Sequence, residues 1–236
     1  MVAGLGADAC PGGWVGVRLV EAGDGASPVD VDAFHAATIA ELVEAATPPD
    51  GELAVVGIDI PVGLPDASVR AADVEVRRLL GPRRSSVFMT PTRAALGEPT
   101  HALASATNVM RTGLGISQQA YHLRTKIFDV DGWVRGDDRP RVVEVHPELS
   151  FRLMAGAPLE AAKKTWAGQV WRRDLLTAAD VELPRDLGGL GRAAPDDVLD
   201  AAAAAWSALR VARGEAVSHP DEPERFSDGW PAAIWG

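Results

Sequence analysis

The sequence predicts a mixed α/β fold, in which an antiparallel three-stranded meander leads into parallel strands joined by helices. Three observations carry this. Residues 4–9 and Trp14 to Val20 are short β-prone runs on either side of Cys10-Pro11-Gly12-Gly13, a hairpin signal. Leu53 to Ile60 is a continuous apolar run closed by Pro61, as expected of a strand buried on both faces. Asp196 to Arg213 is an alanine-rich helical stretch.

The elements follow in order. Val29 to His35 alternates apolar and polar residues and makes a third strand. Thr38 can cap a helix running through Ala46, with Glu41 three residues on completing a capping box. The middle is mostly helical: Ser68 to Leu80 is arginine-rich and stopped by Gly81-Pro82, and Ser117 to Asp129 is a further helix. Arg141 to Val145 is a strand ended by His146-Pro147. Helices around 148–155 and 165–178 and a loop with Gly188, Gly189 and Gly191 precede the closing helix. Short hairpins join antiparallel neighbours and helices join parallel ones. This order is the ribonuclease H-like plan: a mixed five-stranded sheet with helices on both faces, whose fourth strand lies parallel beside the first. The whole chain, 1–236, reads as one such domain, with a helical insertion at 66–138 and an acidic, proline-containing segment at 214–236.

Composition sets limits on function. The 47% hydrophobic and 24% charged content is that of a globular protein, and no apolar run approaches a membrane span. The N-terminus lacks the pattern of a signal peptide. A single cysteine, Cys10, excludes an internal disulfide framework and a multi-cysteine zinc site, so a cytoplasmic location is expected. The net charge of −10 argues against a general nucleic-acid coat. Two basic clusters run against that balance: Arg70, Arg77, Arg78, Arg83, Arg84 and Arg93, then Lys163, Lys164, Arg172 and Arg173. They read either as a phosphate-facing surface or as salt-bridged helix faces.

The chemistry-bearing signal is acidic. Asp8 lies near the end of the first strand in Gly6-Ala7-Asp8, and Asp59 near the end of the fourth in Gly57-Ile58-Asp59. In the expected strand order these two are adjacent. Two buried carboxylates side by side repel unless a proton or a cation is shared, and Mg²⁺ or Mn²⁺ takes carboxylate oxygens readily. Taken singly, each aspartate can also cap a turn. Glu144 interrupts the apolar fifth strand, although strand alternation can equally point it away. Asp197 and Asp200 share one face at the start of the closing helix. Asp196 and Asp197 are also ordinary dipole partners, whereas Asp200 begins a run of small residues that lets the helix approach the strand ends.

Several blocks resemble a bacterial and archaeal family known as domain of unknown function 429, described as predicted RNase H-fold nucleases. They include Gly6-x-Asp8 with Gly12-Gly13-Trp14, Ile58-Asp59-Ile60-Pro61-Val62-Gly63-Leu64, Arg70-x-x-Asp73 and Arg77-x-Leu79-Leu80-Gly81. Ser86-Val87-Phe88-x-Thr90-Pro91-x-Arg93, Gln118-Gln119-Ala120, Glu144-Val145-His146-Pro147-Glu148, Lys163-Lys164 and Asp196-Asp197-x-x-Asp200-Ala201 continue the series. The resemblance implies the RNase H-like fold and metal-dependent phosphodiester chemistry, with Asp8 and Asp59 as ligands.

The expectation is therefore a hydrolase of phosphoester bonds using Mg²⁺ or Mn²⁺. Its metal ligands would come from Asp8, Asp59, Glu144, Asp197 and Asp200. His146, after a strand, is a candidate general acid or phosphate ligand. Arg70, Arg77, Arg93, Lys126 and Lys163 are candidate substrate-binding cations, with an ion pair to Asp73 open for Arg70 or Arg77 and a solvated helix face open for Lys126. The substrate would be nucleic acid or a small phosphoester. Two other readings use the same fold: a phosphotransferase or phosphohydrolase of the actin and sugar-kinase type, and a non-catalytic binding protein.

Overall fold

The computed structural model describes residues 1–21, 30–187, 190 and 193–236. The chain opens with β1 (Val2–Cys10) and β2 (Gly13–Glu21), an antiparallel hairpin in full register from Val2 opposite Glu21 to Cys10 opposite Gly13. The turn between them places Gly12 at φ +85°, a conformation that favours glycine. β3 (Asp30–Ala36) pairs with β2 and completes the meander. Val29, expected at its start, lies outside the described residues, as does the Gly188, Gly189 and Gly191 loop. α1 (Ile39–Ala46) begins with the expected capping box, Thr38 accepting from the Glu41 N–H and Glu41 reaching back to the cap.

β4 (Val55–Ile58) runs parallel to β1. Between it and β5 (Arg141–Val145) lie α2 (Ala71–Leu80), a 3₁₀ turn at Gly81–Ser86, α3 (Arg93–Leu96) and α4 (His101–Thr112), then α5 (Gln118–His122) and α6 (Arg124–Val134). The helix expected at 117–129 is thus two helices meeting at Leu123. α7 (Pro147–Ala155), α8 (Trp166–Ala178) and α9 (Pro195–Arg213) follow β5.

The expected sheet of five strands is corrected to seven among the described residues, in the order β3-β2-β1-β4-β5-β7-β6. The added strands are β6 (Ser218–Arg225) and β7 (Pro231–Trp235), both from the segment read as an acidic tail. Pro220, Pro223 and the carboxylates argue against an interior strand. However, β6 is an edge, where a missing N–H is tolerated and charge discourages further pairing. β7 is parallel to β5 and antiparallel to β6.

Both faces of the sheet are covered. Leu5, Ala7, Val56 and Ile58 pack with α1 and α6 on one side. Val15, Val17 and Leu19 pack with α7, α8 and α9 on the other, joined by Val55, Val143 and Val145. The approach of α9 is set by small residues. A Cβ on Gly6 would lie 2.1 Å from the Ala201 carbonyl oxygen and 2.1 Å from the Ala205 nitrogen. Ala201 to Ala205 are fully buried, so backbone meets backbone where β1 crosses α9. No described helix is long and apolar enough to cross a membrane.

Candidate active site

Strand register brings Asp8 and Asp59 together. Ala7 pairs with Ile58 across β1 and β4, and the Asp59 N–H donates to the Ala7 carbonyl at 3.0 Å. Side chains alternate along a strand. Gly6, and Gly57 beside Ala204, face α9, so Asp8 and Asp59, two residues further on, project to that face as well. Asp200 stands one residue before the alanine run that touches β1. The same contact that requires Gly6 therefore delivers the Asp200 carboxylate to the strand ends.

The three carboxylates line a cavity of about 380 Å³ with Glu148, Lys163 and Asp197. Lys163, from the segment between α7 and α8, donates from Nζ to Asp200 Oδ2 at 2.5 Å and lies 4.0 Å from Asp196 Oδ2. Glu148 is held through Oε1 by the buried Arg172 at 2.5 Å, leaving Oε2 buried without a partner. Asp200 Oδ1 is likewise buried and unpartnered. Neither the Asp8 nor the Asp59 carboxylate has a hydrogen-bond or ion-pair partner among the described residues.

Such crowding favours the protonated acids. Burial, then Asp59 and Asp200, raises the Asp8 carboxyl well above its ordinary range. Burial lifts Asp59 to about 7 against the opposing pull of Lys163. Burial lifts Asp200 to about 6, again moderated by Lys163. Burial alone would lower Lys163, but Asp200, Asp8 and Asp59 together raise it, so it stays charged.

An all-carboxylate donor set is the kind that hard divalent ions prefer, and four of its groups carry oxygens free of protein partners. The chemistry of the residues fits Mg²⁺ or Mn²⁺. Their spacing in this conformation is open: among the described residues no three His, Cys, Asp or Glu side chains form a ready-made metal cluster.

The remaining sequence candidates divide. Glu144, expected in the metal shell, is turned to the opposite face, because Val143 and Val145 occupy the α9 side of β5. It forms a buried ion pair with Arg70 and accepts from the Val62 N–H at 2.8 Å, although its end still borders the cavity. Arg70, expected to grip phosphate, is fully buried between Glu144 and Asp73. Arg77 donates to the Val87 carbonyl, and Arg93 forks onto Asp131 while also reaching Asp228. Lys126 sits over the Trp14 ring at 4.9 Å. None of Arg77, Arg93 and Lys126 is among the residues that line the cavity; Lys163 is.

His146 lines the cavity and approaches the Ser86 carbonyl through Nε2 at 3.4 Å, leaving Nδ1 buried and unpartnered. Burial lowers its pKa, so it is neutral near pH 7. Phe88 and Gln119 also line the cavity, beyond the candidates that the sequence marks. Their blocks, Ser86-Val87-Phe88 and Gln118-Gln119, were visible, but nothing in local spacing shows that the helical segment folds back over the strand ends.

A mixed α/β sheet with aspartates from two strands and a helix at one cavity defines the protein's class. Within that class the chain belongs to the DUF429 family of proteins of unknown function, whose profile matches residues 6–225. No curated protein and no solved structure matches the chain.

Proposed function

We propose that the protein is an RNase H-like, metal-dependent phosphodiester hydrolase. The supporting strand order is a meander β3-β2-β1 continued by parallel β4 and β5, which is the core of that plan, with β7 and β6 added beyond it. The single observation that carries the chemistry is the convergence of Asp8, Asp59 and Asp200 at one cavity with unpartnered oxygens and raised pKa values.

Asp8, Asp59 and Asp200 would hold Mg²⁺ or Mn²⁺, with Asp197 also lining the cavity. When bound, such an ion would supply Lewis-acid activation of water and charge neutralisation at the phosphate. Lys163 fixes the Asp200 carboxylate and offsets charge in the centre. His146 lines the cavity with its Nε2 turned to the Ser86 carbonyl, which leaves Nδ1 as the buried acceptor nitrogen of the neutral ring. Glu144 acts as a positioning residue: it holds the Val62 N–H and Arg70, and Arg70 also donates to the Val62 and Gly63 carbonyls, which steadies the loop after Asp59.

Phosphodiesterase assays on single-stranded and duplex nucleic acid and on bis(p-nitrophenyl) phosphate, with Mg²⁺ or Mn²⁺, test this. Cleavage should need the ion and disappear in Asp8→Asn and Asp59→Asn. Ion-dependent cleavage of equal rate in both variants would remove the assignment.

A further inference from the structure

The cavity lining combines two kinds of chemistry. Beside the carboxylates it includes Phe88 and Leu123, with Ser85, Gln119 and His146. Phe88 is anchored by packing against the Ala95, Ala104 and Tyr121 cluster. The Ser85 hydroxyl and Gln119 amide have no partner among the described residues. An aromatic surface beside uncommitted donors and acceptors is suited to a heterocyclic base, whose face stacks and whose edge hydrogen-bonds.

The cations around it argue about size. A duplex is held by several cations on successive phosphates. Arg70, Arg77 and Arg93 are committed to internal carboxylates or carbonyls, and Arg83 donates to the Leu159 and Glu160 carbonyls. The cations on the cavity wall, Arg83 and Lys163, are thus both engaged by the protein. A volume of about 380 Å³ falls at the lower end of small-molecule sites.

Resting on the hydrolase reading, we propose that the cavity takes one nucleoside phosphate unit with an unpaired base. Its phosphate sits at the carboxylates and its base lies against Phe88. Such a unit is a free nucleotide or the end of a single strand; a duplex does not enter.

Calorimetry of the full chain with Mn²⁺ distinguishes these. The probes are AMP, ribose 5-phosphate, a dinucleotide, and a single strand and a duplex of equal length. AMP and the dinucleotide should bind within about threefold of the single strand, and raising salt from about 50 to about 200 mM should weaken binding by less than about tenfold. Phe88→Leu, which preserves the apolar anchor, should weaken AMP about tenfold and leave ribose 5-phosphate unchanged. A duplex binding more than about tenfold tighter than the dinucleotide overturns the proposal, as does absence of AMP binding or indifference to Phe88→Leu. Nucleotide binding without cleavage of any diester would remove the hydrolase reading and leave the base site. Duplex cleavage would do the reverse.

Discussion

Arg70 and Glu144 form a two-point ion pair in the interior, with Nη1 to Oε2 at 2.9 Å and Nη2 to Oε1 at 2.6 Å. Asp73 shares the same guanidinium at 2.7 Å and also accepts from the Thr90 N–H. Burial, moderated by Arg70, leaves Glu144 above the ordinary carboxylate range. A buried charge stripped of its partner is costly. Glu144→Ala should therefore lose about 3–5 kcal/mol of stability by urea unfolding, and Glu144→Gln less. Stabilisation by Mn²⁺ should survive Glu144→Gln, since Glu144 faces away from the carboxylate centre.

Gly6 is the contact point that sets the height of Asp200. The 2.1 Å approaches to Ala201 and Ala205 are to backbone atoms, which cannot swing aside. Gly6→Ala should cost about 3 kcal/mol or more, beyond ordinary overpacking, because α9 must lift from β1. Gly51→Ala, whose nearest atom would be 3.7 Å away, is the matched control and should be near neutral. Thermal unfolding of the two variants compares them.

These residues also show what was legible beforehand. Asp8 and Asp59 are readable because strand alternation and hairpin chemistry act locally, and the shared Gly-x-Asp pattern fixes their height. Asp200 is readable because small residues announce a close helix. Glu144 shows the limit: one acid in an apolar strand does not reveal which face it takes, and only the Arg70 side chain, seventy-four positions away in sequence, decides it. The same holds for Arg93, whose partners Asp131 and Asp228 lie in distant segments. β6 was hidden because edge strands follow weaker composition rules than interior ones.

Lys163 is the internal counter-charge of the centre, lowering the Asp8, Asp59 and Asp200 carboxyls against burial. Lys163→Met should destabilise the metal-free chain at pH 8, where Asp59 and Asp200 ionise. If a divalent ion shares this site, the thermal shift produced by Mn²⁺ should be larger in Lys163→Met than in the wild type. A smaller shift would show that Lys163 and the ion do not compete. Scanning fluorimetry with and without Mn²⁺ measures both.

The raised carboxyls impose a pH dependence whose sign is determined. In the unfolded chain an aspartate titrates at about 3.9, whereas Asp200 is lifted to about 6 and Asp59 to about 7 by burial. The folded state therefore holds more protons between these values, and stability falls as pH rises through them. Their contribution is fully present below about pH 4 and lost above about pH 7. Metal-free protein should unfold at lower urea at pH 8 than at pH 5. Asp59→Asn removes one ionising group and should gain about 1–3 kcal/mol at pH 8, discounted for the partial exposure of the site, and almost nothing at pH 4. Mn²⁺ should flatten the wild-type profile by favouring the ionised form. Urea midpoints across pH 4–8 measure all three, and a profile for Asp59→Asn parallel to wild type would show that Asp59 does not titrate in this window.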